Sequence, residues 1–185
     1  MTQFPKPYAD AVARLRVPSG FLIVAAFAWF SHPNPLSLAI GMPVSFLGLA
    51  LRAWAAGCLY KDRELATGGP YAYTRNPLYM GTLLVSAGLV VASRSVWLGL
   101  LFTVVFLFVY LPVIQLEQQH LRGLFPGYAS YAMRVPALIP RWNPRPRPSQ
   151  PFRWSQYKKN REYQAALGFA AGVAWLLYKL FAFAP

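Results

Sequence analysis

The chain has few acidic residues and almost no cysteine. Its 185 residues include one cysteine, Cys58, and five acids against 18 lysines and arginines. A single cysteine excludes a disulfide within the chain and a metal site built from several thiolates. Charged residues make up only 12% of the chain, while hydrophobic residues make up 56%. So few charges cannot cover a soluble domain of this length, and the composition therefore predicts a membrane protein.

Long apolar stretches predict an all-α fold, an integral-membrane bundle of about five transmembrane helices with short cytoplasmic amphipathic helices. A helix needs ~20 apolar residues to cross a ~30 Å hydrocarbon layer. The first stretch is shorter than this, and the last contains one charge, Lys179, which can reach the interface. The predicted spans cover residues 17–29, 36–57, 78–92, 96–116 and 165–183.

The basic residues predict an orientation. Most of them lie in segments 58–77 and 117–164, whereas the turns at 31–35 and 93–95 contain only Arg94. The positive-inside rule then places the N-terminus and both basic segments in the cytoplasm, at a bacterial inner membrane. A net charge of +13 indicates contact with anionic lipid headgroups. Because the basic residues flank apolar spans, we expect no nucleic-acid partner.

A first polar cluster, GGPYAYTRNPLYMG at 68–81, has the features of an anion site. Asn76 followed by Pro77 predicts a helix start, with asparagine as the cap and proline in the first turn. The backbone N–H groups of that turn and the guanidinium of Arg75 suit a carboxylate or phosphate. The glycine turn that includes Gly69 lets the backbone approach a ligand closely.

The tyrosines of this cluster suit stacking on a purine or flanking a cation, although an interfacial aromatic belt has the same composition. They are Tyr71, Tyr73 and Tyr79. Glu117, in the second cluster, follows an apolar span at a helix end, where the helix dipole disfavours a carboxylate. An acid at such a place is a functional candidate that could hold an ammonium group or ribose hydroxyls. The alternative is an ion pair with Arg75 or Arg122.

The spacing of the two clusters predicts that they meet. About 40 mostly apolar residues separate Arg75 from Glu117, enough to cross the hydrocarbon layer twice at ~1.5 Å per residue. Pro112 should bend the fourth span and make room for a ligand. Beyond Glu117, helical periodicity interrupted at 126–127 predicts two short amphipathic helices on the membrane surface. Such a pocket suits S-adenosylmethionine, although these groups would also accept other nucleotides.

Both clusters resemble signatures of the isoprenylcysteine carboxyl methyltransferase and phospholipid methyltransferase superfamily. The matching stretches are 65–81, LATGGPYAYTRNPLYMG, and 117–136, EQQHLRGLFPGYASYAMRVP. Three residues depart from the signatures: Asn76 replaces a histidine, Gln118 a second glutamate and Pro126 a glycine. The resemblance implies a small integral-membrane enzyme that binds S-adenosylmethionine in a cytoplasmic pocket and takes a lipophilic or lipidated acceptor from the bilayer.

The resemblance also implies residue roles. Arg134 would orient an acceptor carboxylate, and with Arg75 and Glu117 it completes the catalytic candidates. We add Gly69 and His120 as cofactor contacts, although His120 also fits an ordinary interfacial helix residue, and we expect no metal. The cofactor candidates are Gly69, Tyr71, Arg75, Asn76, Pro77, Tyr79, Glu117 and His120.

The expected organisation is one domain over 1–185. It consists of a catalytic core near 58–140, a basic proline-rich linker over 140–162 and a C-terminal transmembrane helix over 163–183. Gly168 and Gly172 suit helix packing, within the chain or in a homo-oligomer. Alternative functions are phospholipid or amine N-methylation, thiol S-methylation, a non-catalytic membrane binding protein and a reductase using a nicotinamide cofactor.

Overall fold

The computed structural model describes residues 5–141 and 150–182, and over these ranges the chain is helical with no strand. The all-α membrane bundle predicted from the sequence is confirmed. A 3-10 turn, Gly69–Ala72, precedes α3, and a π-helical turn, Phe106–Tyr110, joins α4 to α5. The helices are α1 Lys6–Phe30, α2 Pro35–Gly57, α3 Pro77–Ser93, α4 Val96–Val105, α5 Leu111–Leu124, α6 Tyr128–Arg134, α7 Trp154–Lys159 and α8 Tyr163–Ala182.

Within the described residues, three helices are long and apolar enough to cross a membrane: α2, the continuous helix Val96–Leu124, and α8. The apolar part of α1, Val17–Phe30, and α3 are shorter. At ~1.5 Å per residue, α3 is roughly 25 Å long, somewhat shorter than a ~30 Å hydrocarbon layer.

The fourth span is longer than predicted. The apolar pattern predicted an end at Leu116 and a separate surface helix from Glu117 onward. The structure instead continues α5 to Leu124, and the chain breaks only at Phe125–Gly127, where Pro126 cannot extend a helix. Glu117 therefore lies on the last turns of a span. The second expected short helix is α6. In the predicted linker, residues 142–149 lie outside the described residues.

Helices α2 and α3 pack with their backbones in contact because glycines face each other across the interface. Gly41 and Gly48 lie seven residues apart on α2, as Gly81 and Gly88 do on α3, which puts each pair on one helix face. A Cβ added at Gly48 would lie 2.7 Å from the carbonyl oxygen of Gly81. Small residues permit such close packing in a membrane, and only small residues fit here.

The glycine pair singled out on α8 is packed less closely. A Cβ at Gly172 would lie 3.9 Å from the ring of Phe27 on α1, and a Cβ at Gly168 would meet no atom within 4 Å. Gly172 thus faces a helix of the same chain. The homo-oligomer suggested for this face stays a prediction.

One end of the bundle is closed by backbone-directed hydrogen bonds. The Lys179 ammonium donates to the carbonyls of Trp29 and Ser31, at 3.0 and 2.9 Å, and His32 N–H donates to Ser93 at 2.8 Å. Lys179 therefore reaches the end of the bundle near the C-terminus of α1. This position fits the prediction that its side chain reaches the membrane interface. The polar clusters lie at the opposite end.

Candidate functional site

The two polar clusters bond directly to each other, which confirms that the helical hairpin brings them together. The Arg75 N–H donates to the Pro136 carbonyl at 2.9 Å. The Tyr131 hydroxyl donates to the Tyr71 carbonyl at 2.8 Å, and the Asn76 side chain donates to the Ala137 carbonyl at 2.8 Å. Each of these bonds joins the segment before α3 to α6 or the turn that follows it.

Asn76 occupies the cap position of α3, with Pro77 in the first turn as predicted, but its side chain does not cap the helix. Its amide instead donates to Ala137, and its N–H is bonded to the Thr74 hydroxyl at 3.4 Å. The expectation of a side-chain cap was therefore wrong. The bond from its amide nitrogen to Ala137 orients the side chain, and its oxygen accepts no bond from the first turn. The N–H groups of the first turn receive no bond from this side chain.

A cavity of about 950 Å³ opens at this end of the bundle. Its volume lies at the upper end of the roughly 300–1,000 Å³ typical of small-molecule sites, so it has room for a nucleoside and part of a second ligand. Most predicted site residues line it: Tyr71, Arg75, Asn76, Pro77, Tyr79, Glu117 and His120.

Glu117 contacts an aromatic part of the cavity wall. Its Oε2 accepts a hydrogen bond from the Tyr79 hydroxyl at 3.1 Å, and the Tyr79 ring meets that of Tyr110 edge to face, with centroids 6.3 Å apart. Tyr110 belongs to the π-helical turn just before Pro112, so the irregularity expected at that proline supplies a lining residue. Such π turns are common at functional sites.

The alternative expected for Glu117, an ion pair with Arg75 or Arg122, is not formed. Within the described ranges, Arg52 forms an ion pair with Glu162, and His120 lies 3.5 Å from Asp62. Arg75 instead has neutral partners: its Nη1 donates to Gln118 Oε1 at 3.2 Å and to the Tyr128 hydroxyl at 3.4 Å.

Three buried polar atoms in and beside the cavity wall have no hydrogen-bond partner in the described structure. Two belong to lining residues, the Tyr71 hydroxyl and Arg75 Nε, and the third is Nε2 of Gln118, whose Oε1 binds Arg75. Leaving such a group unsatisfied costs about 1–3 kcal/mol, so these atoms are candidates to bind a ligand in the cavity. Burial, and next the nearby Glu117 carboxylate, raises the pKa of Tyr71. Burial likewise raises the pKa of Tyr128, so both phenols stay protonated at neutral pH.

Other predicted residues lie at the mouth of the cavity or outside it. His120 Nε2 is 3.5 Å from Asp62 Oδ1, and both side chains are more than half exposed. Gly69 has a φ of 54°, which makes the turn, but it is not among the lining residues. Tyr73 is exposed and also outside the lining. Arg134 is exposed, and its Nε donates to Ser130 of its own helix at 3.0 Å.

An ion pair in the wall of the cavity was not predicted from the sequence. Arg52 on α2 pairs with Glu162, just before α8, and both line the cavity. Arg52 Nη1 also donates to the Leu78 carbonyl and the Thr82 hydroxyl on α3. A signal was present, because Arg52 is the one charged residue within the apolar span 36–57, and a charge there is a functional candidate by default.

The segment after residue 149 holds the cavity loop in place. The Gln150 side chain accepts hydrogen bonds from the N–H groups of Thr67 and Gly68, at 3.2 and 3.1 Å. Asn160 donates to the carbonyls of Ala56 and Leu59, at 2.8 and 3.0 Å. These contacts fix the irregular chain between α2 and α3, and periodicity alone gave no sign of them.

Fold and site together define a class: a membrane protein, helical over its described residues, with a ligand-sized cavity that has charged and aromatic residues in its wall. Residues 36–127, about half of the chain, match the family model described as phospholipid methyltransferase. Through this domain the chain belongs to that family, as its two signatures indicated.

Two curated relatives are bacterial. The chain is 38% identical over 112 residues to the cobalt-zinc-cadmium resistance protein CzcN of Cupriavidus metallidurans, a match covering 58% of this chain and 51% of the relative. It is 35% identical over 108 residues to the nickel-cobalt-cadmium resistance protein NccN of Alcaligenes xylosoxydans xylosoxydans, covering 56% and 50%. The matches thus span about half the length of each relative. No solved structure matches the chain.

Proposed function

We propose that the protein is a membrane methyltransferase that uses S-adenosylmethionine and methylates a lipid-like acceptor. The observation that carries the proposal is the cavity in which Arg75, Tyr79 and Glu117 meet beside buried, unpartnered polar atoms. The cavity is built largely from residues 36–127, which match the phospholipid methyltransferase family.

The side chains present fit this methyl donor. Arg75, with an unpartnered Nε, suits a carboxylate. Glu117, held by the Tyr79 hydroxyl, suits an ammonium group or ribose hydroxyls, and the rings of Tyr79 and Tyr110 suit an adenine or a sulfonium. When bound, the donor supplies an already activated methyl group. The protein then has to align the two reactants and keep water out.

The acceptor side of the cavity is apolar, which favours a lipophilic substrate that enters from the bilayer. Its wall comes from residues of three apolar helices: Leu49, Val85, Val113 and Leu116. A carboxylate acceptor, as on an isoprenylcysteine, would need no base. An amine or thiol acceptor would have to lose a proton, and Glu117 and His120 lie at the cavity to receive it. Arg134 stays a candidate for the acceptor carboxylate, although it lies outside the lining.

We further propose that the cavity faces the cytoplasm of a bacterial cell, at the inner membrane. The basic segments on either side of the hairpin support this orientation through the positive-inside rule. Alkaline phosphatase fused after residue 185 should be active, because an odd number of spans would carry that end across the membrane. Inactive fusions both at this end and at the Ser93–Ser95 turn, with active fusions within segment 58–77, would contradict it.

The function is tested by calorimetric titration of the detergent-solubilised protein with S-adenosylmethionine. Arg75→Ala and Glu117→Gln should abolish binding. Arg122→Ala should not, because it removes the same charge from an exposed position of α5 outside the cavity. Wild-type and variants that behave alike would end the proposal. Competition with a nicotinamide dinucleotide tests the reductase alternative.

Activity is tested by incubating membranes that contain the protein with radiolabelled methyl donor and extracting the lipids. Label that is released by base marks a carboxyl ester, and stable label marks an amine or a thioether. Donor binding without any labelled product would favour the non-catalytic alternative. The two relatives are named as resistance proteins for cobalt, zinc, nickel and cadmium. Growth of a deletion strain in the presence of these metals should therefore be compared with growth of the wild-type strain.

A further inference from the structure

The Arg52–Glu162 pair lies deeper in the bundle than the bond between Tyr79 and Glu117. Three lining residues mark successive levels along α3, counted from its first residue: Tyr79, Thr82 and Val85. At ~1.5 Å per residue, each of them lies roughly 4.5 Å beyond the one before. The Tyr79 hydroxyl donates to Glu117, and the Thr82 hydroxyl accepts from Arg52. The ion pair is therefore one level further in than the acid that we assign to the methyl donor.

Beyond the ion pair, three helices contribute apolar residues to the cavity wall. On α2, Leu49 precedes Arg52 by three residues. On α8, Ala165 follows Glu162 by three residues. Since α2 ends and α8 begins at this end of the bundle, Leu49 and Ala165 both lie deeper than the pair, as Val85 does on α3. A lipophilic acceptor whose apolar part occupies this region has its polar head at the level of Arg52 and Glu162, facing the donor.

The pair keeps hydrogen-bonding capacity for a ligand, mostly on the side of the acid. Within the described ranges, four of the five N–H groups of Arg52 have partners, two on Glu162 and two on α3. Each oxygen of Glu162 accepts one of these bonds, and a carboxylate has about four acceptor positions, so about two remain. The Glu162 side chain is only 9% exposed, so the low local dielectric strengthens a hydrogen bond formed there.

We propose that Glu162 is a specificity-determining residue, which accepts a hydrogen bond from the polar head of the acceptor and disfavours an anionic head. The inference rests on the proposed function and narrows its acceptor to lipid-like molecules whose reactive group carries an N–H, O–H or S–H. Arg52 holds the carboxylate in position with two bonds. A carboxylate head would meet a second carboxylate at this level, and the cation beside it is already paired, so repulsion weakens its binding. Glu162 lies outside residues 36–127, so the family match does not assign this role.

Three ligands that share a farnesyl tail but differ in the head group test the proposal: farnesylamine, farnesol and S-farnesylthioacetic acid. Their binding to the full-length protein is measured in detergent, with S-adenosylhomocysteine present as the donor analogue. Wild-type protein should bind the amine at least about tenfold more tightly than the acid, because an ammonium group forms a charge-assisted hydrogen bond with Glu162 and a carboxylate is repelled. Farnesol, which donates one neutral hydrogen bond, should lie between them.

Glu162→Gln should reduce the preference for the amine at least about tenfold. The glutamine no longer repels a carboxylate, and Arg52 becomes free to pair with it. A purely structural role would not weaken the amine and strengthen the acid at the same time. Because this variant is expected to be less stable, Arg52→Met with Glu162→Met is the second variant, and it should show no preference between the two charged heads. Circular dichroism and size-exclusion profiles show that each variant is folded before it is titrated.

Asp10→Asn is the matched control, because it removes an acid from an exposed position of α1 outside the cavity, and it should leave the preference unchanged. The affinity for S-adenosylhomocysteine should stay the same in all variants. Tighter or equal binding of the acid by wild-type protein overturns the inference, as does an unchanged preference in the folded variants or an equal loss of donor affinity. In each of these cases the proposed function stands. A wild-type protein that does not bind S-adenosylhomocysteine would instead overturn the proposed function, and the inference with it.

Discussion

Arg52 and Glu162 form a two-point ion pair between α2 and the start of α8, with Nε–Oε1 at 2.6 Å and Nη2–Oε2 at 3.0 Å. The stem of Arg52 lies where a side chain at Gly81 would otherwise be, since a Cβ there would come 2.5 Å from Arg52 Cγ. Its guanidinium also bonds to α3. One arginine thus joins three helices at the cavity that carries the proposed site.

Glu162→Gln should destabilise the protein strongly, because it leaves Arg52 with its charge uncompensated. Removing one partner of a buried pair costs about 3–5 kcal/mol. The side chains here are 22% and 9% exposed, so solvent reduces the expected loss to about 2–3 kcal/mol. The double variant Arg52→Met with Glu162→Met should lose less than Glu162→Gln alone. Denaturant unfolding in detergent micelles measures both.

Asp62→Asn is the control, because it breaks the His120–Asp62 contact, whose side chains are 64% and 52% exposed. It should change the free energy of unfolding by less than about 0.5 kcal/mol. An effect as large as that of Glu162→Gln would show that burial does not determine how much each of these contacts contributes to the free energy of unfolding.

The glycine interface gives a second prediction. In Gly88→Ala, the new methyl group would overlap the Ser45 hydroxyl and the backbone of α2, so the two helices must separate. We expect a loss of about 2–4 kcal/mol, comparable to other overpacked or disrupted cores.

Gly168→Ala serves as the matched helical control, since nothing lies within 4 Å of its added Cβ. Alanine is a better helix former than glycine by about 0.8–1 kcal/mol, so this variant should be neutral or more stable. If both alanine variants unfold alike, direct contact between α2 and α3 is contradicted.

The sequence predicted features that depend on local pattern or chain length. The length of the apolar segment was enough to predict that the Arg75 and Glu117 clusters meet, and Pro126 marked the break after α5. The Arg52–Glu162 pair was not predicted, because 110 residues separate the partners and no periodicity links them. Asn76 was predicted as a cap because local rules cannot show that its side-chain nitrogen donates to the carbonyl of Ala137, 61 residues away.

Tyr71→Phe should separate stability from binding. At pH 7 it removes a buried hydroxyl that has no partner, so the free energy of unfolding should stay equal or rise slightly. The affinity for S-adenosylmethionine should fall several-fold, because we assign that hydroxyl to the ligand. Unfolding and calorimetric titration at pH 7 measure the two effects, and a loss of stability with unchanged affinity would contradict the assignment.

The same variant should alter the alkaline pH profile. The pKa of Tyr71 is raised in the folded protein, so its contribution to stability is complete below the unfolded pKa of about 10 and falls as the pH rises above that value. Wild-type should therefore lose up to about 1.4 kcal/mol per pH unit more than Tyr71→Phe above pH 10. Parallel profiles between pH 8 and 11 would show that the phenol ionises as easily in the fold as in the unfolded chain.

The contact between α1 and the irregular part of the fourth span gives the last prediction. Pro112 has no N–H to donate to the carbonyl four residues earlier, that of Phe108, and the Tyr8 hydroxyl donates to this carbonyl at 2.9 Å. Tyr8→Phe should therefore cost about 1 kcal/mol in the wild-type background. In a Pro112→Ala background the restored backbone N–H can serve the same carbonyl, so Tyr8→Phe should cost clearly less. The four unfolding free energies form a double-mutant cycle, and strictly additive effects would mean that Tyr8 does not compensate for the proline.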